Sequence, residues 1–214
     1  MQKIFFTSDT HFGHANIINY SNRPFKTIEE HDEVLINNIN QMVGRRDFLY
    51  HLGDFCWGDT ARKQIIIAKD ILSKINCKNI YLIVGNHDPR GNGGQPNEDF
   101  AKLFKSCVNY HVVRVPLTDD QDAALAAPRH QIILSHYAIR TWEGQHKGTY
   151  HLYGHSHATM PYDNTLSFDV GVDAIATSIG LDDPQNYRPI SSFEVVERLQ
   201  DKEIVAADGH GSSS

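Results

Sequence analysis

Apolar residues follow two rhythms along this chain. Short runs rich in β-branched and aromatic residues, bounded by glycine, asparagine or aspartate, each read as a strand. They are Lys3–Ser8, Phe48–Leu52, Ile80–Val84, Val112–Val115, Gln131–Ser135, Tyr150–Tyr153 and Leu166–Val170. Between Thr27 and Val43 the positions Ile28, Val34, Leu35, Ile39 and Met42 share one helical face, and Thr27 followed by Glu30 has capping-box spacing. Thr60–Ile75 repeats that pattern, and Ser191 with Glu194 opens a third helix ending near Gln200. Helices alternate with strands in the first half and strands dominate the second. This predicts a mixed α/β fold of strand–helix units leading into a β-rich half. Gly91–Asn97 and the acidic, then alanine-rich stretch from Thr118 to Pro128 read as loops. No linker divides the chain, so residues 1–207 are expected to form one domain, with 208–214 a disordered polar tail or tag remnant.

Composition narrows the class. The longest aliphatic runs, Ile65–Ala68 and Tyr81–Val84, fall far short of the roughly 20 residues a membrane span needs. The apolar stretch at the N-terminus is too short for a signal peptide. Three cysteines, Cys56, Cys77 and Cys107, lack Cys-x-x-Cys spacing and fit a reduced interior, so a soluble cytoplasmic protein is expected. A net charge of −6 argues against a protein that coats duplex DNA or an anionic membrane. The unusual count is 13 histidines, more than the 10 phenylalanines or 9 tyrosines. Histidine is the commonest metal ligand and titrates near neutrality.

Position shows where those histidines gather. Behind the first strand comes Asp9-Thr10-His11-Phe12-Gly13-His14, behind the second Gly53-Asp54, and behind the third Gly85-Asn86-His87-Asp88. Ser135-His136-Tyr137 ends the fifth strand and Gly154-His155-Ser156-His157 the sixth. Six of the 13 histidines lie in these five exits. Ligands of open α/β sheets collect outside the carboxyl ends of the strands, so the exits together describe a site. Carboxylates, imidazoles and one amide oxygen, without thiolate, suit borderline divalent ions such as Mn, Fe, Ni or Zn. Seven such ligands are too many for one ion and right for two sharing a carboxylate. Two ions about 4 Å apart can activate a hydroxide and clamp both oxygens of a phosphoryl transfer.

The ordered set Asp9-x-His11, Gly53-Asp54, Gly85-Asn86-His87-Asp88, His136 and Gly154-His155-x-His157 resembles the signature of calcineurin-like metallophosphoesterases. The opening Ser8–Ile18, with Arg23-Pro24-Phe25, is similar to small bacterial and phage members. The resemblance implies a four-layer αββα sandwich of two mixed sheets flanked by helices. It implies a first ion on Asp9, His11 and His157, and a second on Asn86, His136 and His155. Asp54 would bridge them together with a hydroxide that attacks phosphorus in line. His87 would bind the phosphate and protonate the leaving oxygen, as a histidine can near neutral pH. Many relatives place a second Asp three residues after the bridging one to orient that histidine. Here the position is Trp57, which leaves Asp88 or Asp59 as substitutes.

Weaker candidates surround this set. His14 can contact the phosphate or cap Ala15–Tyr20. Arg140 and Trp142 can clamp phosphate and stack a base, or be a surface arginine and a packed indole. Cys56 reads as a small buried residue. His31, His51, His111, His130, His146, His151 and His210 are assigned to surface or core packing. The expected function is a dinuclear metal-dependent phosphoesterase acting on phosphodiesters, including nucleotides, with manganese its expected metal. The alternatives are a nuclease on nucleic-acid ends, a phosphomonoesterase or a protein phosphatase; a non-enzymatic scaffold is disfavoured because every motif ligand and His87 are present. A partner nucleic acid is disfavoured by the charge and by the lack of a lysine- or arginine-rich stretch.

Overall fold

The computed structural model describes residues 2–116, 129–161 and 165–204. The loop expected at Thr118–Pro128, the polar tail and His210 lie outside these residues. Two mixed sheets make up the fold. In the first, β1 (Ile4–Thr7), β2 (Phe48–His51), β3 (Asn79–Ile83) and β4 (Ser106–Val108) run parallel in the order β4-β3-β2-β1. A short strand from the far end of the chain, β9 (Ile190–Ser191), adds antiparallel to β1. The second sheet orders β5 (Tyr110–Pro116), β6 (Arg129–Ser135), β7 (Tyr150–Tyr153) and β8 (Ser167–Asp169) in sequence. Its β5 and β6 are antiparallel, while β6, β7 and β8 are parallel.

Alternation within the strands decides which layer each side chain joins. Phe5, Leu49, Ile80 and Leu82 pack with Leu35 and Ile39 of α2 (Ile28–Met42) and with Ala68 and Ile71 of α3 (Ala61–Lys74). Their neighbours Phe6, Tyr50 and Ile83 pack instead with Ile132, Leu134 and Leu152 of the second sheet and with Val195, Val196 and Leu199 of a C-terminal helix. Each fully buried aliphatic or aromatic side chain of this kind contributes about 1.5–3 kcal/mol. The expected sandwich of sheets and helices is therefore the observed one.

The capping residues act where their spacing places them. Thr27 Oγ1 accepts from the Glu30 amide at 3.2 Å, while the Glu30 carboxylate reaches one residue further back, to the Lys26 amide. At Ser191 both halves of the box form. Four short α-helices, α1 (Ile17–Tyr20), α4 (Glu98–Ala101), α5 (Val172–Ile179) and α6 (Ser192–Leu199), and 3-10 turns at Asn92–Gly94, Gln145–Lys147 and Pro184–Asn186 complete the described secondary structure. Strands β4 and β9 and helices α4 and α5, of two to eight residues each, are too short for the sequence to show a period. No helix among the described residues is long and apolar enough to cross a membrane.

Candidate metal centre

Strands β1 and β2 run on side by side after their ends, and this delivers the first ligands. Beyond the sheet, the Asp9 amide donates to Gly53 O, the His11 amide to Asp54 O and the Phe12 amide to Phe55 O, each at 3.0 Å. Asp9 and His11 thus arrive beside Asp54. Gly154, after β7, ties back through its amide to His136 O at the end of β6. The centre sits where exits from both sheets converge, as the sequence pattern predicts.

Two carboxylates are held in the same manner. The His155 amide donates to Asp9 Oδ2 at 2.9 Å and the His87 amide to Asp54 Oδ1 at 2.8 Å. The other oxygen of each faces imidazoles. Asp54 Oδ2 lies 3.5 Å from His11 Nε2 and 3.6 Å from His136 Nε2, and Asp9 Oδ1 lies 3.9 Å from His157 Nε2. Two clusters result: Asp9, His11 and His157, and Asp54, His136 and His155. Asn86 Oδ1 joins the second, 2.8 Å from His136 Nε2 and 2.9 Å from His155 Nδ1. Two glycines make the close approach possible. A Cβ on Gly85 would overlap the Asp54 carboxylate, and one on Gly154 would overlap Ser8 and the Asp9 carboxylate.

These residues fit divalent cations. Asp9 Oδ1 and both ring nitrogens of His11 are buried without a hydrogen-bond partner among the described residues, which is costly unless another ligand satisfies them. Burial pushes the Asp9 carboxyl well above its ordinary range and that of Asp54 up to about 7, while burial lowers His11 and takes His136 down to about 4. A positive charge placed among them reverses the penalty on the carboxylates, and neutral imidazoles are the form that ligates.

A buried network behind the first cluster involves residues the sequence analysis did not assign to the centre. His157 Nδ1 lies 2.6 Å from Asp173 Oδ2, on α5. Arg23, also buried, donates from Nε and one terminal nitrogen to both oxygens of Asp173, at 2.8 and 2.7 Å. The same guanidinium donates to Asp9 O and Thr10 O and lies 2.8 Å from His31 Nε2. Burial opposes the charge on Asp173, but Arg23 and His157 hold its carboxyl down at about 2. His157 in turn is raised: burial alone would lower it, and Asp173 and Asp9 outweigh that. Arg23 and Asp173 are 150 residues apart, so no local spacing links them. On the other side, His136 Nδ1 lies 2.7 Å from Leu52 O, which aims Nε2 at the centre.

The remaining candidates separate. His87 lies beside the centre, its ring 5.3 Å from that of His11 and 5.1 Å, edge-on, from Trp57. Neither proposed substitute reaches it. Asp88 accepts from the amides of Asp54, Phe55 and Gly85 and so braces the ligand loops, and Asp59 is exposed beside Lys63. His14 does not cap α1, whose N-cap is Asn16; its ring stacks on Trp57 at 4.7 Å, next to His11. Trp142 is a packed indole, 8 % exposed and donating to Thr149 O, so it offers no face to a base. Arg140 is exposed on the loop after β6 and makes no hydrogen bond or ion pair among the described residues. Cys56 is buried, as expected. His31 is more than packing, being wired between Arg23 and Asp32.

Residues 2–159 match the family model for calcineurin-like phosphoesterases. The chain is 30 % identical over 211 residues to the uncharacterized protein MJ1445 of Methanocaldococcus jannaschii, covering 96 % of each. It is 30 % identical to the gene 66 protein of Mycobacterium phage L5, over 86 % of this chain and 92 % of that one. Among solved structures, AQ665 from Aquifex aeolicus, a protein of unknown function, superposes with a TM-score of 0.59 at 20 % identity, covering 92 % of this chain and 100 % of that one. The chain belongs to the calcineurin-like phosphoesterase family. Family and geometry together define a metal-dependent phosphoesterase with candidate His/Asp metal sites.

Proposed function

We propose that the protein hydrolyses phosphodiesters, nucleotides among them, at a centre of two divalent cations that share Asp54. The observation that carries this is Asp54 Oδ2, placed almost equally far from His11 and His136, one imidazole in each half of the centre. Asp9, His11 and His157 would hold one ion, Asn86, His136 and His155 the other, and the N/O donor set suits manganese, with iron, nickel or zinc as alternatives. When bound, the ions supply Lewis acidity to the phosphoryl oxygens and a water acidic enough to attack phosphorus at neutral pH.

The chain's own groups do the rest. In the net step a water oxygen bonds to phosphorus and the bond to the leaving oxygen breaks. His87 donates a proton to that oxygen, and the proton given up by the water restores His87. Burial, then the neighbouring histidines His157 and His155, lowers the His87 pKa. A phosphate anion against the ring works the other way and favours the protonated form that can act as an acid.

The test is metal stoichiometry alongside turnover of bis(p-nitrophenyl) phosphate. We expect about two manganese ions per chain, the number a two-metal centre requires, and hydrolysis that depends on them. Retention of no metal at saturating manganese, with no turnover, would overturn the proposal.

A further inference from the structure

Among the described residues, four tyrosine or tryptophan side chains stand at least 36 % exposed: Tyr20, Trp57, Tyr110 and Tyr137. Three of these four lie against a histidine that belongs to the centre or flanks it. Tyr137 sets its ring 5.0 Å from His136 and 4.7 Å from His155, beside the second cluster. Trp57 flanks His87 at 5.1 Å and His14 at 4.7 Å, and Tyr20 meets His14 edge-on at 6.1 Å. Leaving an aromatic ring in water forgoes the free energy of burying it, so exposed rings collected around one group of candidate ligands mark a surface kept open for a ligand.

The arrangement has two ends. Asp54 and His11 occupy the middle, Tyr137 borders the His136–His155 side, and Trp57 borders the His87 side. A phosphate held over Asp54 would have one of its esterified groups toward each ring. Each ring stands among imidazoles instead of in a continuous apolar trough, which suits flat polar heterocycles better than alkyl chains.

We infer that Tyr137 and Trp57 are substrate-binding residues that stack planar rings on the two sides of the phosphorus, so that the substrate is a diester of two nucleoside-class alcohols. The inference rests on the phosphodiesterase reading above and narrows it. Tyr137 is the better probe, because truncating Trp57 would also release His14 and His87 from their packing.

Two measurements test it on the manganese-loaded protein. In the first, the fluorescence of Trp57, the exposed one of the two tryptophans, is followed during titration with AMP and with glycerol 3-phosphate. AMP should quench it at lower concentration than glycerol 3-phosphate. Its apparent Kd should rise about 5- to 150-fold in Tyr137→Ala and return close to wild type in Tyr137→Phe, the range expected of one base–aromatic stack. In the second, kcat/KM is compared for adenylyl-adenosine and glycerophosphocholine. The ratio should fall by a similar factor in Tyr137→Ala, through KM rather than kcat. Equal binding of the two phosphates, or equal behaviour of Tyr137→Ala and wild type, would overturn the inference. Selective AMP binding without turnover of any diester would uphold the aromatic rim and overturn the phosphodiesterase reading. Turnover with an unmoved substrate ratio and unselective binding would do the reverse.

Discussion

Five residues of the centre hold their backbones in the left-handed region: Asp9, His11, Asp54, His155 and His157, with φ between 46° and 68°. For a side chain with a Cβ this conformation costs about 1–2 kcal/mol per residue. The strain persists because neighbours over-determine it. Asp88 clamps three amides around Asp54, and Asp169 accepts from the Ser156 hydroxyl and the Gly171 amide to pin the turn bearing His155 and His157. Local sequence announces such turns through their glycines, yet it says nothing of the clamps. At this scale two substitutions separate binding from proton transfer. His87→Ala should keep its manganese and lose roughly 10²–10⁴-fold in kcat, the usual contribution of a general acid. Asp54→Asn should lose metal and activity together. Unchanged turnover in His87→Ala would refute the acid role.

Among elements, the consequential contact joins α5 to the loop before α2. Asp173 in the first turn of α5 accepts from Nε and one terminal nitrogen of Arg23 and orients the His157 ring, while Arg23 anchors the main chain at Asp9 and Thr10. One buried guanidinium thus ties together two of the three candidate ligands of the first cluster. Asp173→Asn should weaken the first manganese ion about 10- to 100-fold, the usual effect of removing a partner behind a metal ligand. It should also destabilise the fold by about 3–5 kcal/mol, since Arg23 remains buried without its counter-charge. Calorimetric manganese titration and urea unfolding read the two effects, and a variant with wild-type affinity for both ions would exclude the positioning role. The long helices α2 and α3 were legible from apolar spacing and a capping threonine. Helix α5, Val-Asp-Ala-Ile-Ala-Thr-Ser-Ile, was not, because it is short, rich in β-branched residues and buries Val172, Ile175 and Ala176 in two different clusters.

At the scale of the whole molecule, the sandwich buries histidines that no metal is needed to explain. His51, beside Thr10 Oγ1, has its pKa pushed down to about 3, and His151, on β7 of the second sheet, to about 4, burial being the main cause in both. Folded, they stay neutral where the unfolded chain takes up protons near 6.5. Their contribution to stability is therefore complete above about pH 6.5 and is lost as pH falls toward 4, with a slope of up to about 1.4 kcal/mol per pH unit for each group. The Asp9 and Asp54 carboxyls shift the opposite way, so the decline is read as the difference in urea unfolding between metal-free wild type and His51→Gln/His151→Gln from pH 7 to pH 4. No difference in pH dependence between the two would mean that these rings ionise in the folded state.

The chain by itself determined the class of chemistry. Ligand types are written in residue identity, and period-2 runs ending in Gly-Asp, Gly-Asn-His and Gly-His-x-His place those ligands at strand exits, so both are local properties. Tertiary structure alone decided which candidate ligands share a cluster, that Asp54 stands between the two, and that, among the described residues, Trp57 and Asp88 leave His87 without a carboxylate partner. It also brought Arg23 to Asp173 and set Tyr137 beside His155. Each of these depends on contacts between distant segments, fixed when two sheets and their helices close on one another, and no spacing along the chain encodes them.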